Sequence, residues 1–152
     1  MKPRLNPLVA ASGPMKAWLN FGIDITKDGL ESSLQELVKI RASQINGCAF
    51  CLQMHTRAAR KAGETEERIY LLDAWAESPL YNERERAALA WTEQLTRLDQ
   101  SPPTDAAFEA LKAQFTDEEI VRLTLLIVVI NGWNRINVGF RVPPGLEIRP
   151  AA

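Results

Sequence analysis

Residues 28–55 read DGLESSLQELVKIRASQINGCAFCLQMH, and their spacing sets the architecture. Leu30, Leu34, Leu37, Val38 and Ile45 recur at steps of three, four and seven, which places them on one face of a helix running from Asp28 to about Ile45. Asp28 followed by Glu31 has the spacing of a capping box at its start. Asn46-Gly47 interrupts the pattern, and a second helical run opens near Cys48 and stops at Gly63, a residue free to adopt the positive φ of a helix C-terminus. So short a turn leaves room for the two helices to pack antiparallel as a hairpin.

Downstream, Thr65 to Glu77, Glu83 to Leu98 and Thr104 to Phe115 form three more amphipathic segments, joined by short polar or proline-bearing connections. Asn82 with Glu85 and Thr116 with Glu119 repeat the capping-box spacing. The nine prolines all fall in gaps between these segments: Pro3, Pro7 and Pro14 mark a loose N-terminal arm over 1–14, and Pro143, Pro144 and Pro150 a C-terminal tail over 143–152. The last apolar stretch is ambiguous. Leu123 to Ile130 is rich in β-branched residues, and Asn131-Gly132 suits a hairpin turn into Ile136 to Val142. The capping box and helical context favour one helix from Asp117 to about Phe140. Ile45-Asn46-Gly47-Cys48 is echoed by Ile130-Asn131-Gly132-Trp133, with a register slip of two residues in the preceding match. The fold class is all-α, a single domain of 152 residues.

Composition narrows the function. Apolar residues make up 46% and charged residues 24%, which excludes a disordered or collagenous chain. Eighteen Lys and Arg against nineteen Asp and Glu leave a formal charge of −1, so neither a nucleic acid nor a membrane surface is an expected partner. His55 is the only histidine, which excludes any site needing two imidazoles from one chain. Two cysteines cannot form a disulfide scaffold, and without a secretory apolar region near Lys2 and Arg4 the expected location is a reducing cytoplasm. There, a close cysteine pair is more often catalytic or metal-binding than structural.

At about 100° per residue, Cys51 lies roughly 60° around the helix from Cys48, and His55 returns to within about 20° of Cys48. All three share one face. Both sulfurs fall in the first helical turn, where unpaired amides and the helix dipole favour a thiolate. His55 can then accept the Cys51 proton directly or through one water. Glu36, on the preceding helix and bordering the core, is placed to face His55 across the hairpin and fix its tautomer. A Cys₂HisGlu metal site and an inert buried pair are the competing readings. Trp75, Trp91 and Trp133 read as core or subunit contacts. Asn134, Arg135 and Asn137 read as a buried polar network or an interface, with contact to a substrate pocket as the lesser alternative. The basic run Arg57 to Lys61, followed by Glu64 to Glu67, reads as a solvated surface.

Glu36, eleven intervening residues, Cys48-x-x-Cys51 and then His55 resemble the signature of the alkylhydroperoxidase AhpD and carboxymuconolactone decarboxylase family, on its thiol-bearing branch. The stretch Glu83-Arg84-Glu85-Arg86 to Trp91-Thr92-Glu93 and the pair Asn134-Arg135 extend the likeness over most of the chain. The resemblance implies an AhpD-like helical bundle assembled as a homo-oligomer (dimer, trimer or hexamer), acting as a cysteine-dependent peroxidase on small hydroperoxides. It further implies Cys51 as the peroxidatic thiol and Cys48 as the resolving one. Glu36 and His55 would be the proton relay, with a dithiol or protein reductant as electron donor. No nucleotide-phosphate loop, flavin motif or haem attachment sequence is visible, so no bound organic cofactor is expected. General disulfide exchange and a non-catalytic scaffold remain the alternatives. Lactone decarboxylation is disfavoured, because that branch lacks the cysteine pair. Phe50 stands where the family's peroxidases carry a second histidine, so the relay is incomplete by that standard.

Overall fold

In the computed structural model, which describes residues 2–145, the chain folds around a central helical hairpin covered by further helices. The elements are α1 (Pro7–Ala10), α2 (Ser12–Thr26), α3 (Ser32–Ile45), α4 (Ala49–Lys61), α5 (Glu66–Tyr70), a 3₁₀ turn (Leu71–Ala74), α6 (Glu83–Thr96), α7 (Asp105–Lys112) and α8 (Asp117–Phe140). No β-strand occurs among the described residues. The part of the expected tail from residue 146 onward, including Pro150, lies outside them.

α3 is the core of the fold and packs against α4, α6 and α8. Leu37, Val38, Ile40 and Ala42 have no exposed surface, so the helix is buried on several sides instead of presenting one apolar stripe. One cluster joins Leu34 and Val38 to Trp91 of α6 and to Leu123 and Ile127 of α8. A second joins Leu37 and Ile40 to Leu72, Tyr81 and Leu89. α8 is a single continuous helix, and its start at Thr116 carries both hydrogen bonds of a capping box with Glu119. By length and composition it could cross a membrane, but Leu123, Leu126, Ile127 and Ile130 are buried against the rest of the bundle. The capping box of Asn82 and Glu85 also forms, at the start of α6.

Three expectations need correction. The first is the Asp28–Glu31 capping box, which does not form. Gly29 at φ +90° is incompatible with a first helical turn, so α3 starts at Ser32, and Glu31 instead meets the Arg84 guanidinium at 3.0 Å. Second, the loose arm is largely helical: Pro7 and Pro14 occupy first turns, where the missing amide has no intrahelical partner to lose. Those two prolines are therefore not in gaps. Third, the Thr65–Glu77 segment is shorter and divided, because its winding tightens at Leu71 into the 3₁₀ turn that carries Leu72 into the core. The sequence echo has no structural counterpart, since the chain turns at Asn46-Gly47 but runs through Asn131-Gly132 as helix.

Gly132 is where α2 meets α8. A Cβ there would lie 2.5 Å from Trp18 Cζ2. Helix propensity alone would make Gly132→Ala favourable by about 1 kcal/mol. Overpacking against an indole costs about 1–3 kcal/mol. The variant is therefore expected to lose about 1 kcal/mol in urea unfolding, with a changed Trp fluorescence spectrum; a net gain in stability would show that α2 yields freely.

Candidate active site

The α3–α4 turn builds the site. α3 ends in a Schellman arrangement, with the Cys48 amide donating to Ser43 O at 3.0 Å and the Gly47 amide to Gln44 O at 3.2 Å. This closure needs a left-handed residue, which Gly47 supplies at φ +63°. Cys48 then serves as the N-cap of α4, its sulfur accepting from the Cys51 amide at 3.3 Å. One residue thus closes α3 and opens α4. Cys51 is the third residue of α4, and the two sulfurs form a disulfide with 5.4 Å between Cα atoms. Both cysteines are buried, in a cluster with Ala42, Ile130 and Phe50.

Glu36 and His55 meet across the hairpin, with Glu36 Oε2 2.8 Å from His55 Nδ1. Lys39 completes the group, its Nζ donating to Glu36 Oε1 at 2.8 Å. All three side chains are largely buried, between 12% and 17% exposed. Burial pushes the Glu36 carboxyl up, but the hydrogen bond and charge of His55, with those of Lys39, outweigh it and hold the group below its ordinary value. The folded state therefore favours ionised Glu36 more than the unfolded chain does. That stabilisation is present above the ordinary value of 4.5 and is lost as pH falls through the lower folded value. Glu36→Gln should accordingly be less stable than the parent at neutral pH, with the gap between their urea midpoints narrowing below about pH 4.5. A gap independent of pH would show that the carboxylate charge contributes nothing.

Polar residues of α8 complete the surroundings. The Asn46 amide group donates to Asn131 Oδ1 at 3.0 Å and Asn134 Oδ1 at 2.9 Å, and Asn134 donates to Ser43 Oγ at 3.0 Å. This buried network pins α3 to α8 in one register. Asn137, 4% exposed, donates from Nδ2 to Cys51 Sγ at 3.4 Å. Among the described residues no group of three His, Cys, Asp or Glu side chains stands in a metal-ligating array.

A cleft of about 620 Å³ opens beside these groups, walled by Leu19 and Ile23 of α2, Phe50 and Met54 of α4, and Trp133 of α8, with His55, Lys39 and Asn137 on its lining. Trp133 therefore borders the cleft, while Trp75 donates to Glu93 Oε1 at 2.8 Å and Trp91 to Thr124 Oγ1 at 3.1 Å. Lys39 escaped the sequence reading, although its position three residues after Glu36 is a standard ion-pair spacing. The approach of Asn137 to Cys51 has no such local signal, because 86 residues separate them.

A sequence profile for the carboxymuconolactone decarboxylase family matches residues 14–94. The uncharacterized protein YdfG of Bacillus subtilis (strain 168) is 39% identical over 138 residues, which is 91% of this chain and 94% of YdfG. A protein of unknown function from Agrobacterium tumefaciens, described as a putative antioxidant defence protein AhpD, has a crystal structure that superposes with a TM-score of 0.92 at 44% identity, over 96% of this chain and 100% of that one. The AhpD core of an uncharacterized peroxidase-related protein from Ralstonia eutropha JMP134 superposes with a TM-score of 0.79 at 19% identity, over 91% of this chain and 74% of that one. The last is a likeness of fold alone.

Proposed function

The chain belongs to the carboxymuconolactone decarboxylase family, and from that membership we propose a thiol-dependent peroxidase that reduces organic hydroperoxides through Cys48 and Cys51. The observation that carries the reading is the buried disulfide at the N-terminus of α4, one helical turn before a His55 that pairs with Glu36 and lines an apolar cleft.

In the reduced protein, the His55 Nδ1–H donates to Glu36 Oε2, which leaves Nε2 with a lone pair for the Cys51 proton. The helix N-terminus and the Asn137 amide stabilise the thiolate that results. Its sulfur attacks the terminal peroxide oxygen. An S–O bond forms, the O–O bond breaks, and the departing alkoxide takes the proton from His55 to leave as an alcohol. Cys51 is then a sulfenic acid. The Cys48 thiol displaces water from it, forming the disulfide, and an external dithiol in a reducing cytoplasm restores both thiols while becoming oxidised itself. Lys39 is the positioning residue that keeps Glu36 ionised throughout. Assembly of several copies and a protein reductant belong to the same proposal.

Phe50, in the position of a second histidine, favours general disulfide exchange as the other reading. Thiol titration separates the two. Reduced protein mixed with one equivalent of cumene hydroperoxide should lose two free thiols together and release one equivalent of alcohol. Thiols that survive the hydroperoxide but are consumed by a small disulfide would overturn the peroxidase reading in favour of exchange.

A further inference from the structure

Two buried side-chain polar atoms have no hydrogen-bond partner among the described residues, Trp18 Nε1 and Asn137 Oδ1. Of their side chains, only that of Asn137 lines the cleft, and it also touches the reactive sulfur. A buried acceptor left unpaired costs about 1–3 kcal/mol, so a native orphan calls for an explanation. Asn137 is committed through its other amide atom: its Nδ2 donates to Cys51 Sγ at 3.4 Å, and Oδ1 belongs to the same planar amide group. The walls around it are largely apolar: Ile130 and Phe50 offer no side-chain donor, and the one indole N–H there, on Trp133, does not reach Oδ1. Lys39 and His55 supply donors, and the Glu36 carboxylate is taken up by both of them.

We propose that Asn137 is the hydroperoxide-orienting residue of the cleft, its Oδ1 accepting the O–H of the substrate while its Nδ2 holds the Cys51 thiolate. The inference rests on the peroxidase reading and names the group that aligns the substrate for it. An organic hydroperoxide has one hydrogen-bond donor, on the terminal oxygen, which is the oxygen the sulfur must attack. Accepting that hydrogen at Oδ1 while Nδ2 donates to the sulfur sets the two reacting atoms side by side on one amide, with the organic group directed along the cleft. The hydrogen is not transferred: it stays on its oxygen as the S–O bond forms and the O–O bond breaks, so the contact becomes Cys51 S–O–H donating to Oδ1. The same acceptor therefore serves substrate and sulfenic acid, and is vacated when Cys48 expels that oxygen as water.

The test compares two oxidants of the same thiols. Cumene hydroperoxide has an O–H for Oδ1 to accept; 2,2′-dithiodipyridine, an oxidising disulfide, carries no O–H at all. In stopped-flow oxidation of the reduced protein, Asn137→Ala and the near-isosteric Asn137→Leu should lower the hydroperoxide rate about tenfold more than the disulfide rate, the amount expected from one lost hydrogen bond of about 1.4 kcal/mol. Unchanged helix content and a retained disulfide reaction certify the fold of each variant. Equal losses with both oxidants, or no loss with either, would overturn the assignment to Asn137 and leave the peroxidase reading standing. A parent protein that reacts with the disulfide but not with the hydroperoxide would overturn both.

Discussion

Cys51→Ser is expected to abolish hydroperoxide consumption, a fall of about 10⁴-fold or more, whereas Cys48→Ser should undergo one oxidation and then stop. The asymmetry follows from the two sulfurs' places on one turn of helix. Cys51 is the third residue of α4 and receives the Asn137 amide, so its thiolate has the stabilising contacts. Cys48 is the N-cap, and serine is among the best residues for that position, so Cys48→Ser keeps the helix start while removing the group that closes the disulfide. The sulfenic acid left on Cys51 in that variant should be captured by dimedone and identified by mass spectrometry after a single equivalent of hydroperoxide. Turnover surviving in Cys51→Ser would reverse the assigned roles, and an absence of dimedone on Cys51 in the Cys48→Ser variant would remove them.

Arg41→Ala is expected to be the most damaging change outside the site, lowering stability by about 3 kcal/mol, near the lower end for removing one partner of a buried pair. Arg41 is 5% exposed and reaches from α3 to α6 and the 3₁₀ turn. Its Nε donates to Glu93 Oε1 at 2.7 Å and its Nη1 to Gln44 Oε1 at 3.0 Å, with Asp73 also engaged. Glu93 in turn accepts from Trp75 Nε1, so loss of Arg41 strands a partly buried carboxylate and loosens the 3₁₀ segment at once. Urea unfolding would measure the loss. The double variant Arg41→Met/Glu93→Leu should recover most of it, because the charges then left without partners, Asp73 and Arg97, are exposed to solvent. A single variant less than about 1 kcal/mol below the parent would show the pair to be solvated in effect.

The α3–α4 hairpin was legible because its information is local: apolar spacing, the Asn-Gly break and the cysteine-histidine face all lie within a few turns of chain. The meeting of Glu36 with His55 follows from the same hairpin, since antiparallel helices joined by so short a turn must bring those turns together. α2 was not legible, because Met15 and Ile25 are buried while Leu19, Phe21 and Ile23 are partly exposed along another side, leaving no single stripe to recognise. Gly29 misled in a different way: the cap spacing around it was sound, but the left-handed backbone it permits cancels the helix start. Asn137 required the packing of α8 across α4, which no windowed pattern contains.

Because Cys48 and Cys51 are three residues apart, their bond encloses only a tiny ring and ties no distant parts of the chain together. Closing so small a ring removes far less freedom from an unfolded chain than closing a long one. Under the proposed redox role, electrons would enter and leave without the scaffold being loosened and re-tightened at each cycle, and the molecule's endurance is set by its apolar interior whichever state the sulfurs occupy.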